Sequence, residues 1–334
     1  MCRRTVTFQP ETRPENKRWS RTALQAALHY GGSALALLLL FHFLPGKKVW
    51  QTLSELPPRL WILVLAGYLA THCLGVGKWR LMVNSAGSGM NYLQAARCYF
   101  AGLFGSLFLP SLIGGDILRA ALAMRYGKTK AGVLLGSFLD RIVDFAGLCV
   151  LAGTGALLVP GALQPQSRLV FLWIAAAAIG GLLIIALAIA LVPIRRLSFR
   201  MRRRAASLRR AGRSMARRPH LMLLALAISV TAQLCFILLS IQLAEACGLR
   251  LPFRAWLFAW PLAKISAAIP VTQGGIGVRE AALVGLLLPF GAPAVLTAAA
   301  GLAWEAIVIT GGLASGLFSL LAGRAPSTAR TSAG

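Results

Sequence analysis

Acidic residues are scarce in this chain. Only nine of its 334 residues are Asp or Glu, against 35 Lys or Arg. Charged residues make up 13% and hydrophobic residues 57% of the sequence, and mean hydropathy is +0.70. That leaves no stretch for a sizeable soluble domain, so any chemistry has to sit among apolar segments. Six cysteines are scattered (Cys2, Cys73, Cys98, Cys149, Cys235 and Cys247), without a CxxC or paired spacing. Neither a zinc site nor a disulfide framework is signalled. The four histidines, His29, His42, His72 and His220, are isolated. No metal and no cofactor is expected.

The formal charge of +26 invites a nucleic-acid partner, but its distribution argues against one. Basic residues collect in the first 21 residues and in 195–218, which holds eleven arginines and no acid. That clustering is how membrane proteins mark their cytoplasmic loops. Several apolar runs reach the ~20 residues needed to cross a bilayer. Spanning helices are expected at about 22–44, 60–83, 131–159, 169–193, 220–247 and 293–322. The stretch 1–21 reads as a disordered cytoplasmic tail, followed by a signal anchor rather than a cleaved signal peptide.

Two further apolar stretches, about 92–126 and 255–290, are interrupted by one shared pattern, Pro-x3-Gly-Gly-x3-Arg. It reads Pro110, Gly114, Gly115, Arg119 and then Pro270, Gly274, Gly275, Arg279, at an offset of 160 residues. Pro and Gly break helices, and Arg is costly in a membrane. Broken, charged segments at matching places in two halves point to a transporter-like binding site. Each stretch is read as a re-entrant hairpin, which enters partway, turns where protein or water covers the backbone, and returns.

Charge bias fits that reading. With six spans and two hairpins, the N-terminal tail, Arg125, Lys128, Lys130, the 195–218 loop, Arg324 and Arg330 all fall inside. Lys47, Lys48, Arg59, Arg168, Arg250 and Arg254 fall outside. The expected fold is therefore all-α, a polytopic membrane helical bundle of about six spans plus two re-entrant broken-helix hairpins in an inverted repeat. Residues 1–21 form a tail, 22–159 the first repeat, 160–322 the second with its basic loop 195–218, and 323–334 a second cytoplasmic tail. The basic loop also suits anionic lipid headgroups, at ~1 kcal/mol per basic residue near the surface.

Five acids lie in or beside the broken or buried segments: Asp116, Asp140, Asp144, Glu280 and Glu305. Buried charges of this kind face a cavity or pair with one another. Arg119, Arg141, Lys264 and Arg279 are the expected partners. Asp140 and Asp144 share a helix face, while Arg141 points elsewhere. Asp116 suits a helix cap. Arg279 and Glu280 are adjacent and should diverge to different partners. Glu305 follows Asp144 by 161 residues and is the candidate counterpart in the second half. A half-helix is expected after each Gly-Gly pair, its free N–H groups favouring an anion. If the hairpins meet, two helix N-termini and the forks of Arg119 and Arg279 surround one volume suited to phosphate. Gln273 and Thr272 are candidate headgroup donors or partners for freed backbone. Lys78-Trp79-Arg80 reads as an interfacial anchor.

Four segments carry a resemblance: KWR at 78–80, LPSLIGGDILRA at 109–120, GSFLDRIVDFAGL at 136–148 and IPVTQGGIGVREA at 269–281. With these the chain resembles the lysylphosphatidylglycerol synthase transmembrane region, or flippase-like, family over most of residues 60–320. The resemblance implies a bacterial inner-membrane protein that moves a lipid between leaflets. It gives Asp116, Arg119, Asp140, Arg141, Asp144, Arg279 and Glu280 candidate roles in a central cavity. The family often has Glu-Arg where this chain has Asp140-Arg141. The soluble aminoacyl-transferase domain of some members is missing from the sequence, so this chain is not expected to make lysyl-lipid itself. Phospholipids, prenyl-phosphate-linked lipids and hopanoid-type lipids are all candidate substrates, and lipid-synthesis enzymes are candidate partners.

The leading expectation is a flippase for an anionic, phosphate-bearing lipid, working by alternating access. No nucleotide-binding loop is present, so a gradient or downhill flux would drive it. Asp140, Asp144 and Glu305 are candidate proton carriers, because burial favours a neutral carboxyl. The alternatives are an intramembrane lipid-phosphate transferase, with Asp140 and Asp144 as metal ligands or acid and base, and a scaffold for lipid-modifying enzymes.

Overall fold

The computed structural model describes residues 51–52, 54–108, 112–159, 206, 209–214, 217–267 and 277–324, with backbone alone at 112, 113, 323 and 324. The expected spans at 22–44 and 169–193, both tails, most of the basic loop, and Thr272, Gln273, Gly274 and Gly275 lie outside these residues.

The described residues include eight α-helices: α1 Pro58–Ser85, α2 Tyr92–Phe108, α3 Leu112–Tyr126, α4 Lys130–Leu158, α5 Pro219–Ala246, α6 Phe253–Ser266, α7 Val278–Leu287 and α8 Ala294–Arg324. A short 3-10 turn, Leu288–Phe290, follows α7. Their lengths fall into a pattern. The sequence α1 to α4 runs 28, 17, 15 and 29 residues; α5 to α8 runs 28, 14, 10 and 31. At 1.5 Å per residue the long helices reach about 42 Å or more and the short ones only about 15–25 Å. By length and composition, α1, α5 and residues Ala294–Ala322 of α8 are apolar enough to cross a membrane. Helix α4 is as long but carries Asp140, Arg141 and Asp144 within little more than one turn.

Local sequence sets the ends. Pro58 and Pro219 occupy the first turns of α1 and α5, where a missing N–H costs nothing. Both helices stop at a glycine in the left-handed region, Gly87 (φ 90°) and Gly248 (φ 84°). The N–H groups of Ser88 and Leu249 then bond back to the carbonyls of Val83 and Ala244, the usual glycine-terminated close of a helix.

Helices α2 and α3 form an antiparallel hairpin. Arg97 bonds Tyr126 across it at 2.8 Å, and an added Cβ on Gly102 would lie 2.9 Å from both Arg119 Cβ and the Gly115 carbonyl. The helix was expected to begin after Gly114-Gly115. Instead α3 begins at Leu112 and contains both glycines. Gly115 permits close approach rather than a break: a side chain there would overlap the Gly102 backbone. Asp116 is consequently a full turn into α3 and does not cap it.

Packing follows a swap. Helix α2 packs on α8, and α6 packs on α4, so each half's first short helix rests on the last long helix of the other half. Helices α1 and α5 pack on each other, α3 rests on α4 as α7 rests on α8. Exchanging α1–α4 for α5–α8 turns every one of these pairings into another that is present. Apolar side chains face outward: Ile62, Leu63, Leu223, Leu224, Leu317 and Leu320 are all exposed. The charged ones, Lys78, Arg119, Asp140, Glu280 and Glu305, are buried. That inside-out polarity is what lipid as solvent demands.

Candidate functional site

The buried charges gather into two clusters. In the first, Lys78 of α1 reaches Asp140 at 2.9 Å and Asp144 at 2.5 Å, both on α4. Ser229 of α5 donates to Asp144 at 2.8 Å. Arg119 of α3 meets Asp140 at 3.2 Å and Asp116 at 3.1 Å, and its guanidinium lies over the rings of Trp79 and Tyr99, 4.9 and 5.2 Å from their centroids. Arg141 closes the ring, with Nε 2.9 Å from Asp116 and its other nitrogens within 4 Å of Asp140 and Asp144. Three cations thus interlock with three acids across α1, α3 and α4.

The second cluster has one cation and two acids. Arg279 Nη2 sits 2.7 Å from Glu280 Oε1 and 2.6 Å from Glu305 Oε2. Adjacent Arg279 and Glu280 were expected to diverge, but they pair with each other. The cause is helix capping. Glu280 folds back so that Oε2 accepts the Gly277 N–H at 2.7 Å, which turns Oε1 toward Arg279. Gly277, at φ 85°, supplies the left-handed turn that starts α7.

A cavity of about 240 Å³ opens between the clusters. Lys78, Arg141, Asp144, Lys264 and Arg279 contribute its charged wall; Tyr68, Tyr99, Phe236, Trp260 and Trp304 contribute its aromatic wall. These residues come from α1, α2, α4, α5, α6, α7 and α8, so both halves build it. His72 stands between the two walls, its Nδ1 3.3 Å from the Tyr99 hydroxyl and its ring 4.4 Å from that of Tyr68. Arg119 does not line this cavity. It borders a smaller pocket of about 130 Å³ with Gly115, Asp116 and Ser106, which shares Tyr99, Leu103 and Arg141 with the larger one. Arg119 and Arg279 therefore face two adjoining spaces rather than one. Gly114 is buried in α3 beside that pocket's Gly115.

Lys264 departs from expectation as a partner for the acids. Its Nζ donates to Gln233 Oε1 at 2.9 Å and lies over Phe236, 4.9 Å from the ring centroid. No carboxylate falls within ion-pair distance of it among the described residues.

Lys78-Trp79-Arg80 is not an interfacial anchor. Lys78 and Trp79 are buried: Lys78 joins the first cluster, and the Trp79 indole donates to Ser137 Oγ at 3.0 Å. Arg80 ties the 86–91 turn through the Met90 carbonyl at 3.0 Å. Lys78 and Gln233 are the residues that sequence reasoning missed at this site. Lys78 carried a signal, since it falls one α-turn below the polar end of a long apolar run; Gln233 stands out only as an amide within one.

A family model, the lysylphosphatidylglycerol synthase TM region, matches residues 25–316. The chain belongs to that family, and with its apolar helices it is an integral membrane protein. No curated protein matches it at significant similarity.

Proposed function

We propose that the protein moves an anionic, phosphate-bearing lipid between membrane leaflets by alternating access of its two halves. The observation that carries this reading is the central cavity, built by both halves and lined by four cations and one acid. A charged wall suits a headgroup, and the apolar outer surface suits tails that remain in lipid. The family supports lipid handling in the membrane.

The two-halves reading draws on the long-short-short-long order of helices and on packing that survives exchange of the halves. Helices of 10–17 residues fall short of the ~20 needed to span, which favours re-entrant hairpins. An inverted repeat with broken helices at its centre is the architecture in which rocking of one half against the other exposes a fixed site to each side in turn. On this reading both termini lie on the cytoplasmic face of a bacterial inner membrane. Arg210, Arg213, Arg217 and Arg218, which border one shallow pocket, then face anionic headgroups there.

The transferase alternative needs Asp140 and Asp144 available to a metal or a proton. Both are engaged by Lys78, which favours transport. The test is lipid movement in proteoliposomes containing the full chain, with fluorescent phospholipids and prenyl phosphates, with and without a pH gradient. Movement above that of empty liposomes supports the reading; none across the panel, with folded protein, overturns it.

A further inference from the structure

We propose that Lys264 and Gln233 form the seat for one negative charge, the phosphodiester of a membrane lipid. This rests on the transport reading and specifies where its ligand binds. Every other cation of the two clusters already lies against carboxylates: Lys78, Arg119 and Arg141 in one, Arg279 in the other. Lys264 alone among these five has an amide where they have acids. Among the described residues no further acid is left to fill that place, because Glu55 and Glu245 are exposed elsewhere.

The neighbours of Lys264 are donors. An ammonium has three N–H bonds, and one is spent on the Gln233 carbonyl. With its oxygen so used, the Gln233 amide has its NH₂ to offer. Trp260 lies one helical turn before Lys264, is 3% exposed, lines the cavity, and its indole N–H has no acceptor among the described residues. A buried donor without an acceptor is costly, and a phosphate oxygen would remove that cost. A phosphodiester carries one charge, matching one cation; a phosphomonoester brings about −1.5 to −2. The cavity, at about 240 Å³, matches roughly eight water volumes, the scale of a headgroup.

The experiment uses the full chain in nanodiscs, with retention of phosphatidylglycerol, phosphatidate and neutral diacylglycerol measured by native mass spectrometry. Lys264→Gln is expected to weaken phosphatidylglycerol about tenfold or more, the scale of a lost charged hydrogen bond, with diacylglycerol unchanged and Lys264→Arg recovering most of the loss. Gln233→Glu supplies Lys264 with an internal carboxylate at almost no change in shape, and is expected to lose phosphatidylglycerol equally while keeping its thermal midpoint. It decides the matter if Lys264→Gln does not fold. Wild-type retention in Gln233→Glu, or preference for phosphatidate over phosphatidylglycerol, overturns the seat. Proteoliposome flux separates this from the transport reading. Protein that binds through Lys264 yet moves no lipid keeps the seat and sinks transport. Normal flux in Gln233→Glu keeps transport and sinks the seat.

Discussion

Lys78 and Asp140 form a buried ion pair at 2.9 Å between α1 and α4, with side chains 5% and 1% exposed. Neither residue has water to fall back on. Lys78→Met leaves Asp140 and Asp144 facing each other with less cation between them. A loss of about 3–5 kcal/mol is expected, as for one partner removed from a buried pair. Thermal unfolding in detergent reads it as a fall in midpoint. Lys78→Met combined with Asp140→Asn should recover much of that fall; a combined variant as unstable as the sum of the two would refute the pairing as the cause.

Glu280 serves both as the cap of α7 and as partner of Arg279. Glu280→Gln keeps an acceptor for the Gly277 N–H but loses the ion pair, while Glu280→Ala loses both. The alanine variant should therefore be the less stable by about 1 kcal/mol, the usual worth of a cap. Faster hydrogen exchange at the start of α7 should appear in the alanine variant and not in the glutamine one.

Glycines separate by what a methyl group would strike. At Gly115 it meets the Gly102 backbone, and at Gly136 the Val83 backbone; at Gly77 and Gly153 nothing lies within 4 Å. Gly115→Ala and Gly136→Ala should destabilise by roughly 1–3 kcal/mol or more, because backbone cannot step aside as a side chain can. Gly77→Ala and Gly153→Ala should be neutral or stabilising by up to about 1 kcal/mol, the helix preference for alanine. Melting midpoints of the four proteins check the order.

The turn between α3 and α4 tests the hairpin. Lys128, Thr129 and Lys130 are exposed there. A single cysteine at Lys128, in a background without the native ones, should react with an impermeant maleimide from the cytoplasmic side only. Reaction from the opposite side would make α2 and α3 together a single membrane crossing and remove the re-entrant hairpin.

The long helices were legible to within two residues or so, because a run of apolar residues ends where Pro, Gly or charge appears. The expected 60–83, 131–159, 220–247 and 293–322 are α1, α4, α5 and α8. The two interrupted stretches were legible as interrupted for the same reason. What escaped was pairing over distance. Lys78 meets Asp144, 66 residues away, and a lysine beside a tryptophan carries no mark of that. Arg279 and Glu280 misled because helical geometry separates neighbours by about 100°, yet a capping carboxylate bends out of that geometry. Gln233 and Lys264 meet only because α5 and α6 fold together, which no local pattern encodes.

Lys78, Arg119, Arg141, Lys264 and Arg279 number as many as Asp116, Asp140, Asp144, Glu280 and Glu305. Formal charge across these ten groups therefore balances, with a positive excess at Lys264 and a negative one beside Arg279. On the transport reading, a balanced site gives a membrane voltage no net charge of its own to move, so the voltage acts mainly on the cargo. On the same reading, a seated phosphodiester would carry a single charge through the field, worth about 2.3 kcal/mol per 100 mV. On the transport reading, an inside-negative membrane would favour outward movement of that charge.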